Sequence, residues 1–348
     1  MSPAAGTPVT TGASSATVTV AGSGLAELTC ARLLTGRGHH VRLGGPKAGT
    51  APATGPRPLL LTGPALELLD SLWGEGLLDG TWELDGREVA WGDTAPARFP
   101  QPARVVDGAL LAARIRERLG DLGPGHGGPG WTVTAEAPGT AQRHHGRRML
   151  LAGTAPLAAG GDERTARLAT AGLGWVHLTP LGAGRCLAQA MVPGPASAPA
   201  SLLARLLDES GLGSVLDRPP RTAVSLPAAP RLHAAPALPP SDGAGGVLTV
   251  GAGALRCDPL SGTGTAQALR TGILAAAVID AAATGTPADA LCAHYTGRLR
   301  HAFLDHLRSC ARLYEAAFPA AAWQDELAAA VSRGTVPPPG RCGPAAPG

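Results

Sequence analysis

The chain has 348 residues, 44% apolar and 16% charged, and its 29 basic and 26 acidic side chains leave a formal net charge of +3. That length suggests one large or two interlocked domains, and the balanced charge gives no support to a nucleic-acid role. With Phe 3, Trp 6 and Tyr 2 against Gly 49 and Pro 33, the core must be built mainly from Leu, Val and Ala, and the lack of a Gly-x-y period excludes a collagen-like polymer.

The first predicted element is TVTVAGSG (17–24), β-branched residues running straight into a Gly-rich turn. From Leu25 to Thr35 the positions Leu25, Leu28, Ala31 and Leu34 repeat at helical spacing, and Gly36 and Gly38 stand where a helix stops. HHVRL (39–43) predicts a second strand, completing a βαβ unit that demands a parallel sheet. A Pro-rich stretch (45–58) and an apolar helical run, LLLTGPALELLDSLW, follow, then a region around Trp82 and Trp91 able to supply strands. Residues 103–120 read as strand into helix, with Leu110, Leu111, Ile115 and Leu119 on one side. After a Gly/Pro-rich break (121–130) come the strand candidates WTVTAEA and RRMLLAG, and residues 174–192 read as a β-hairpin around Gly182 to Gly184. A Pro-dense connector (217–240) leads to the apolar strand GVLTVGAG, then to an Ala-rich helix over Gly264–Ala283 and helical structure over 288–332, with Tyr295, Leu299, Phe303 and Leu307 on one stripe.

Residues 1–16 and 335–348 are expected to be disordered tails; the first lacks the basic residue and apolar run of a signal peptide. No stretch of about 18 apolar residues survives without Gly or a charge, so no membrane span is expected. The six cysteines (Cys30, Cys186, Cys257, Cys292, Cys310, Cys342) form no CxxC pair and have no His partners at zinc spacing, so they read as reduced thiols of a cytoplasmic protein, without a metal site.

The turn Gly22-Ser23-Gly24-Leu25-Ala26-Glu27 is the first site candidate. Two glycines let the backbone approach a pyrophosphate, whose charge is met by amides at the positive end of the following helix; a purely structural tight turn is the alternative. Glu27 stands where the dinucleotide fingerprint has its third glycine, and the second strand ends Leu43-Gly44-Gly45, with no acid to accept from a ribose. Arg42 could meet a 2′-phosphate or simply be solvated.

The second candidate, Val250-Gly251-Ala252-Gly253-Ala254-Leu255-Arg256-Cys257-Asp258-Pro259-Leu260-Ser261-Gly262-Thr263-Gly264, joins a buried strand to the Ala-rich helix through a turn that presents free amides at a helix N-terminus. This run, with Ala268, Leu269 and Gly272 after it, resembles the "GDA…DPLSGxG…AL..G" segment of FAD-dependent oxidoreductases allied to flavin-dependent monooxygenases and tryptophan halogenases. Within that group it is most similar to maturation flavoproteins that oxidise a Trp side chain in a peptide. Residues 17–43, 174–185 and 294–317 resemble the fingerprint strand and helix, the "GW…P.g.gR" hairpin and the C-terminal helices of the same group.

The resemblance implies an α/β fold: a discontinuous Rossmann-like FAD-binding domain (17–80, 104–155, 245–285), an inserted β-rich substrate domain (81–103, 156–244) and C-terminal helices (286–334). It implies FAD held by Gly22, Ser23, Gly24 and Leu25 and by a flavin-facing loop of Asp258, Pro259, Leu260, Ser261, Gly262 and Gly264, with NAD(P)H or a partner reductase as electron source. The Asp of "GDA" falls on Ala252, so with Glu27 and the missing ribose acid three FAD contacts are altered. Each lost charge-assisted bond is worth ~1.5–3 kcal/mol, so two could weaken binding by roughly two to four decades.

Halogenation is not expected. The strand matching the halogenases' "WxWxIP" is Trp175-Val176-His177-Leu178-Thr179-Pro180, and the single lysine, Lys47, precedes the region of their lysine. Alternation puts Trp175, His177 and Thr179 on one face and Val176 and Leu178 on the other; the resemblance implies that the Trp175 face borders the flavin and substrate cavity and the Val176 face packs on the sheet. Trp175 and His177 are therefore substrate candidates, a packed or solvated His177 being the alternative. No catalytic side chain is singled out. His144, His145, Arg147 and Arg148 read as an exposed basic turn, and His294, Tyr295, Arg298, Arg300 and His301 as a solvated helix face. The expected function is an FAD-dependent, monooxygenase-like oxidoreductase acting on an aromatic small molecule or peptide, an indole being one candidate. The alternative is a degenerate flavoprotein fold without catalysis that serves as a binding or scaffold partner.

Overall fold

The computed structural model describes residues 15–44, 58–120, 122, 130–136, 142–241 and 245–332. Both expected tails, Lys47, Cys342 and most of the Pro-rich stretch fall outside those residues, apart from Ser15 and Ala16.

In chain order the first part comprises β1 (Thr17–Ala21), α1 (Leu25–Gly36), β2 (His40–Gly44), β3 (Pro58–Leu61), α2 (Gly63–Trp73), β4 (Trp82–Ala90), β5 (Ala97–Asp107), α3 (Gly108–Leu119) and β6 (Trp131–Thr134). The middle comprises β7 (Gln142–His144), β8 (Met149–Pro156), β9 (Thr165–Ala171), β10 (Gly174–Gly182), β11 (Arg185–Val192), α4 (Pro199–Glu209), β12 (Val224–Pro227), β13 (Arg231–His233) and β14 (Ala237–Leu238). The last part comprises β15 (Gly246–Thr249), α5 (Gly251–Ala254), β16 (Leu255–Arg256), α6 (Gly264–Ala283), α7 (Ala288–Ala317) and α8 (Ala321–Ser332).

The βαβ unit forms as the sequence predicts: β1 lies between β2 and β6, parallel to both, and β15 extends the sheet in parallel beyond β6, with β14 antiparallel at the edge. Its core is made of small and branched side chains: Val18, Val20, Val133 and Leu248 from the sheet meet Ala26, Cys30 and Leu34 of α1 and Ala275, Ala276 and Ile279 of α6. α7 is clamped across this core by Tyr295, whose hydroxyl donates to the Thr249 carbonyl at 2.8 Å. Tyr295 is thus a core residue and not part of the solvated face read for its helix, whereas His301 on that face is exposed beside Asp305.

The second sheet has eight strands in the order β12-β8-β11-β10-β9-β4-β5-β3, antiparallel except where β4 meets β9. β3 and β8 pair into the large sheet, although the sequence-based division groups 58–61 and 149–155 with the nucleotide-binding parts; β5 runs across the expected boundary at 103/104, and β14 joins the parallel sheet. α4 packs Leu203, Leu206 and Leu207 against Val176, Leu178, Ala188 and Ala190 on one face of this sheet, leaving the opposite face to the site. A third, small sheet has the order β16-β13-β7.

Three local readings are corrected. The run LLLTGPALELLDSLW is a strand followed by a helix, because Thr62 is extended (φ −112°, ψ 174°) and Pro64 fits only the first helical turn. The 288–332 region is two helices, broken at Phe318, which precedes Pro319 and takes φ −131°, ψ 83°. In α3, Leu111 and Ile115 are buried while Leu110 is exposed.

α6 is the one described helix long and apolar enough to span a membrane, and it lies in the core against α1 and α7. The close crossing of α1 and α6 depends on Gly272: a Cβ there would lie 2.3 Å from the Ala26 carbonyl oxygen. Gly272→Ala should accordingly lower the urea midpoint, at a cost of about 1–3 kcal/mol. Gly297→Ala on α7, where a Cβ meets nothing within 4 Å, should leave the midpoint unchanged or raise it by up to about 1 kcal/mol.

Candidate functional site

A cavity of about 300 Å³ lies between the free face of the large sheet and the turn Pro259–Gly264. Strand alternation builds its wall. Trp175, His177 and Thr179 of β10 face it, with Leu187 and Gln189 of β11, Leu168 of β9 and Arg87 of β4, while Val176 and Leu178 pack on α4. β3 contributes Leu59 and Leu60.

The turn is shaped by Asp258. Its carboxylate accepts from the Leu260 amide at 2.9 Å, the Ser261 hydroxyl donates back to the Asp258 carbonyl at 2.8 Å, and Gly262 takes the left-handed conformation at φ 63°. No side chain caps the start of α6, so the first-turn amides of a 20-residue helix are left for another acceptor at the cavity edge. Of the six loop residues named from the sequence, Pro259, Leu260, Ser261, Gly262 and Gly264 line the cavity. Asp258 is buried behind them.

There it meets a network that sequence reading did not find. Arg148, read as part of an exposed turn, is 1% exposed. Its Nη1 donates to Asp258 at 2.5 Å and its Nε to Glu326 at 2.9 Å; Glu326 also accepts the Arg147 and Arg148 amides. His145 is buried too, while His144 and Arg147 are exposed. Burial disfavours the guanidinium charge, but Asp258, Tyr314 and Glu326 outweigh it and raise the arginine's pKa. The Tyr314 hydroxyl donates to Asp258 at 3.0 Å and accepts from the Trp175 indole at 3.0 Å, so the turn and the cavity wall share one hydrogen-bonded chain. Burial, then the neighbouring Asp258 charge, pushes the Tyr314 phenol well up, keeping it a donor. A one-dimensional pattern offers no signal that pairs positions 148, 258 and 326.

His177 is half-buried, and desolvation followed by the charge of Arg87 lowers its pKa to about 4, against a hydrogen bond with Gln189. At neutral pH it is an uncharged imidazole.

The Gly22-Ser23-Gly24-Leu25 turn does not border this cavity. Gly22 is at φ 144°, a conformation suited to glycine. The space over the turn holds the Glu27 carboxylate: a Cβ built on Gly22 would be 2.3 Å from Oε1, and one on Gly24 2.6 Å from Oε2. Glu27 is 4% exposed, accepts from the Ala135 amide at 3.2 Å, and has its pKa raised by desolvation against that bond. Leu25 packs into the core beside α2. Ala252 is exposed on α5, and β2 ends at Gly44 without an acid. Among the described residues no group of three His, Cys, Asp or Glu side chains could hold a metal ion, and Cys30, Cys186, Cys257, Cys292 and Cys310 are unpaired.

No protein-family model and no curated protein sequence matches the chain. Solved structures match in fold. The peptidyl tryptophan dihydroxylase QhpG, essential for tryptophylquinone cofactor biogenesis, gives a TM-score of 0.69 at 20% identity, covering 87% of this chain and 76% of that one. CmlS, a flavin-dependent halogenase, gives 0.72 at 17% identity, covering 90% and 67%. The probable FAD-dependent monooxygenase pqsL from Pseudomonas aeruginosa gives 0.66 at 15% identity, covering 91% and 99%. The chain has the α/β fold of FAD-dependent halogenases and monooxygenases, the fold that the 250–264 run implied.

The depressed His177 pKa sets a stability dependence. The unfolded chain takes this proton near 6.5 and the folded one only near 4, so the contribution is fully present above pH 6.5 and is lost as pH falls toward 4. His177→Gln should lose about 3 kcal/mol less than the parent between pH 7 and pH 4, read from urea midpoints. Parallel losses would show that His177 is protonated at no cost.

Proposed function

We propose that the chain is a flavin-dependent oxidoreductase of the monooxygenase type, acting on an aromatic group of a small molecule or peptide. The observation that carries this reading is the juxtaposition across one cavity of the Pro259–Gly264 turn with the Trp175, His177 and Thr179 face.

The ring end of such a site fits a flavin. The uncapped α6 amides and the glycines at 262 and 264 offer backbone donors with no side chain over them, suited to an electron-rich edge. The pyrophosphate end does not fit as it stands, because the Glu27 carboxylate lies in the cradle where a phosphate would be received. A bound flavin would supply the redox chemistry, with electrons from NAD(P)H or a partner reductase. This chain's residues would position and shield. Trp175 is held by its bond to Tyr314 as a flat wall for an aromatic ring. Leu59, Leu60, Leu168 and Leu187 make much of the lining apolar. Neutral His177 and Gln189 supply hydrogen-bonding groups without charge. We place this activity in the cytoplasm, in keeping with five unpaired thiols among the described residues.

One observation favours a second reading, a binding or scaffold protein on a flavoprotein fold: Glu27 fills the space over the nucleotide turn from within the chain and is held there by the Ala135 amide. The two readings part in a titration. The first expects quenching of FAD fluorescence and thermal stabilisation by FAD below the high micromolar range; neither effect at that concentration would leave the scaffold reading in place.

Glu27→Gln keeps the shape of the side chain and removes the like charge facing a phosphate. It should tighten FAD binding by on the order of tenfold while riboflavin, which has no phosphate, binds parent and variant equally. An unchanged FAD affinity would show that the carboxylate leaves the cradle without cost.

A further inference from the structure

Among the described residues the cavity holds one formal charge and nothing to meet it. No described Asp, Glu or Lys lines it, and His177 is neutral, so Arg87 is the single charged group among the described lining residues at neutral pH. Arg87 enters from β4 just beyond the irregularity between Leu84 and Gly86. Its Nε is sealed from solvent with no hydrogen-bond partner. Among the described residues no carboxylate stands within ion-pair distance of it. Arg148, the one fully buried arginine among the described residues, is by contrast met by two carboxylates; Arg231 and Arg256 share with Arg87 the lack of a carboxylate partner, but neither lines the cavity. A half-desolvated cation left without an anion is costly to fold around, and burial lowers its pKa accordingly.

We propose that Arg87, with Gln189 and His177 beside it, forms an anion subsite that takes the carboxylate of an aromatic acid whose ring lies toward Trp175. This inference rests on the reading of the cavity as a substrate site. One guanidinium balances one monoanion, and its planar fork matches the two oxygens of a carboxylate. A phosphate dianion would leave a charge unmet in an otherwise uncharged cavity. His177 and Gln189 sit within one hydrogen-bonded pair on adjacent strands, β10 and β11, and add donors without adding a competing cation or acid.

The test is calorimetric titration of the full chain, with and without saturating FAD, using indole-3-acetate and benzoate against their neutral amides. The expected result is that at least one acid binds about tenfold or more tightly than its amide. In Arg87→Gln that preference should shrink to within about twofold while amide affinity stays unchanged, and Arg87→Lys should retain part of it. Acids and amides of equal affinity in the parent overturn the proposal without any variant, as does binding of neither acid at millimolar concentration. A preference that survives Arg87→Gln overturns it as well, and if FAD affinity falls in that variant, Arg87 serves the cofactor. FAD quenching with no acid preference sinks this inference and leaves the flavin reading standing. Acid preference without FAD binding does the reverse.

Discussion

The site is held together by the charge on Arg148. A guanidinium 1% exposed would be intolerable alone; between Asp258 and Glu326 it is compensated twice, and each carboxylate has further donors of its own. The partners come from distant parts of the chain: the approach to β8, the turn before α6, and α8. Tyr314 adds α7 and, through the Trp175 indole, the large sheet. Breaking such a pair typically costs 3–5 kcal/mol because a charge is stranded. The network therefore fixes the cavity's two walls, the 259–264 turn and β10, in one mutual position. Stacking of Tyr314 on Trp323, with centroids 4.4 Å apart, seals it from water.

The parallel half of the fold was legible because its determinants are local. A strand, a Gly exit and a helix with apolar residues at 3.6-residue spacing specify β1, α1 and β2 within about 30 residues, and Gly264–Ala283 forms as one helix with the predicted limits. The hairpin of β10 and β11 was equally plain, and with it the face that carries Trp175 and His177. What stayed hidden depends on distance in sequence. Glu326 lies 178 residues from Arg148, and the intervening stretch carries no pattern that joins them. Arg148 follows Arg147, and two adjacent arginines in a Gly-containing segment read as solvated. Arg87 gave no signal for a similar reason: a charged residue in an alternating strand reads as outward-facing, and the irregularity after Leu84 that resets the alternation is set by pairing with β5.

Glu27 was visible as an oddity in the fingerprint, but its consequence needed coordinates. From sequence the objection was crowding between helix and strand together with like charge near a phosphate. The structure resolves the crowding by curling the side chain back over Gly22 and Gly24, where it takes an amide from Ala135 at the end of β6. α1 can then keep its close crossing with α6, where Gly272 meets the Ala26 backbone. The carboxylate occupies from within the chain the space over that turn that an anionic ligand would otherwise take.

Arg148, Glu27 and Arg87 show three ways of holding a charge out of water. Arg148 is matched by two acids and contributes order. Glu27 is matched by backbone donors and closes a turn. Arg87 is matched by no carboxylate among the described residues, and it is the one of the three that faces a cavity. Folding selects against stranded charge wherever an apolar residue would serve as well, and the surrounding Leu84, Ala103 and Leu168 show that apolar residues do serve on this wall. An unmatched cation persists at such a place when its partner arrives from outside. Arg148 thus sets a balanced charge where it holds the walls together, and in the proposed subsite a ligand completes the balance of Arg87.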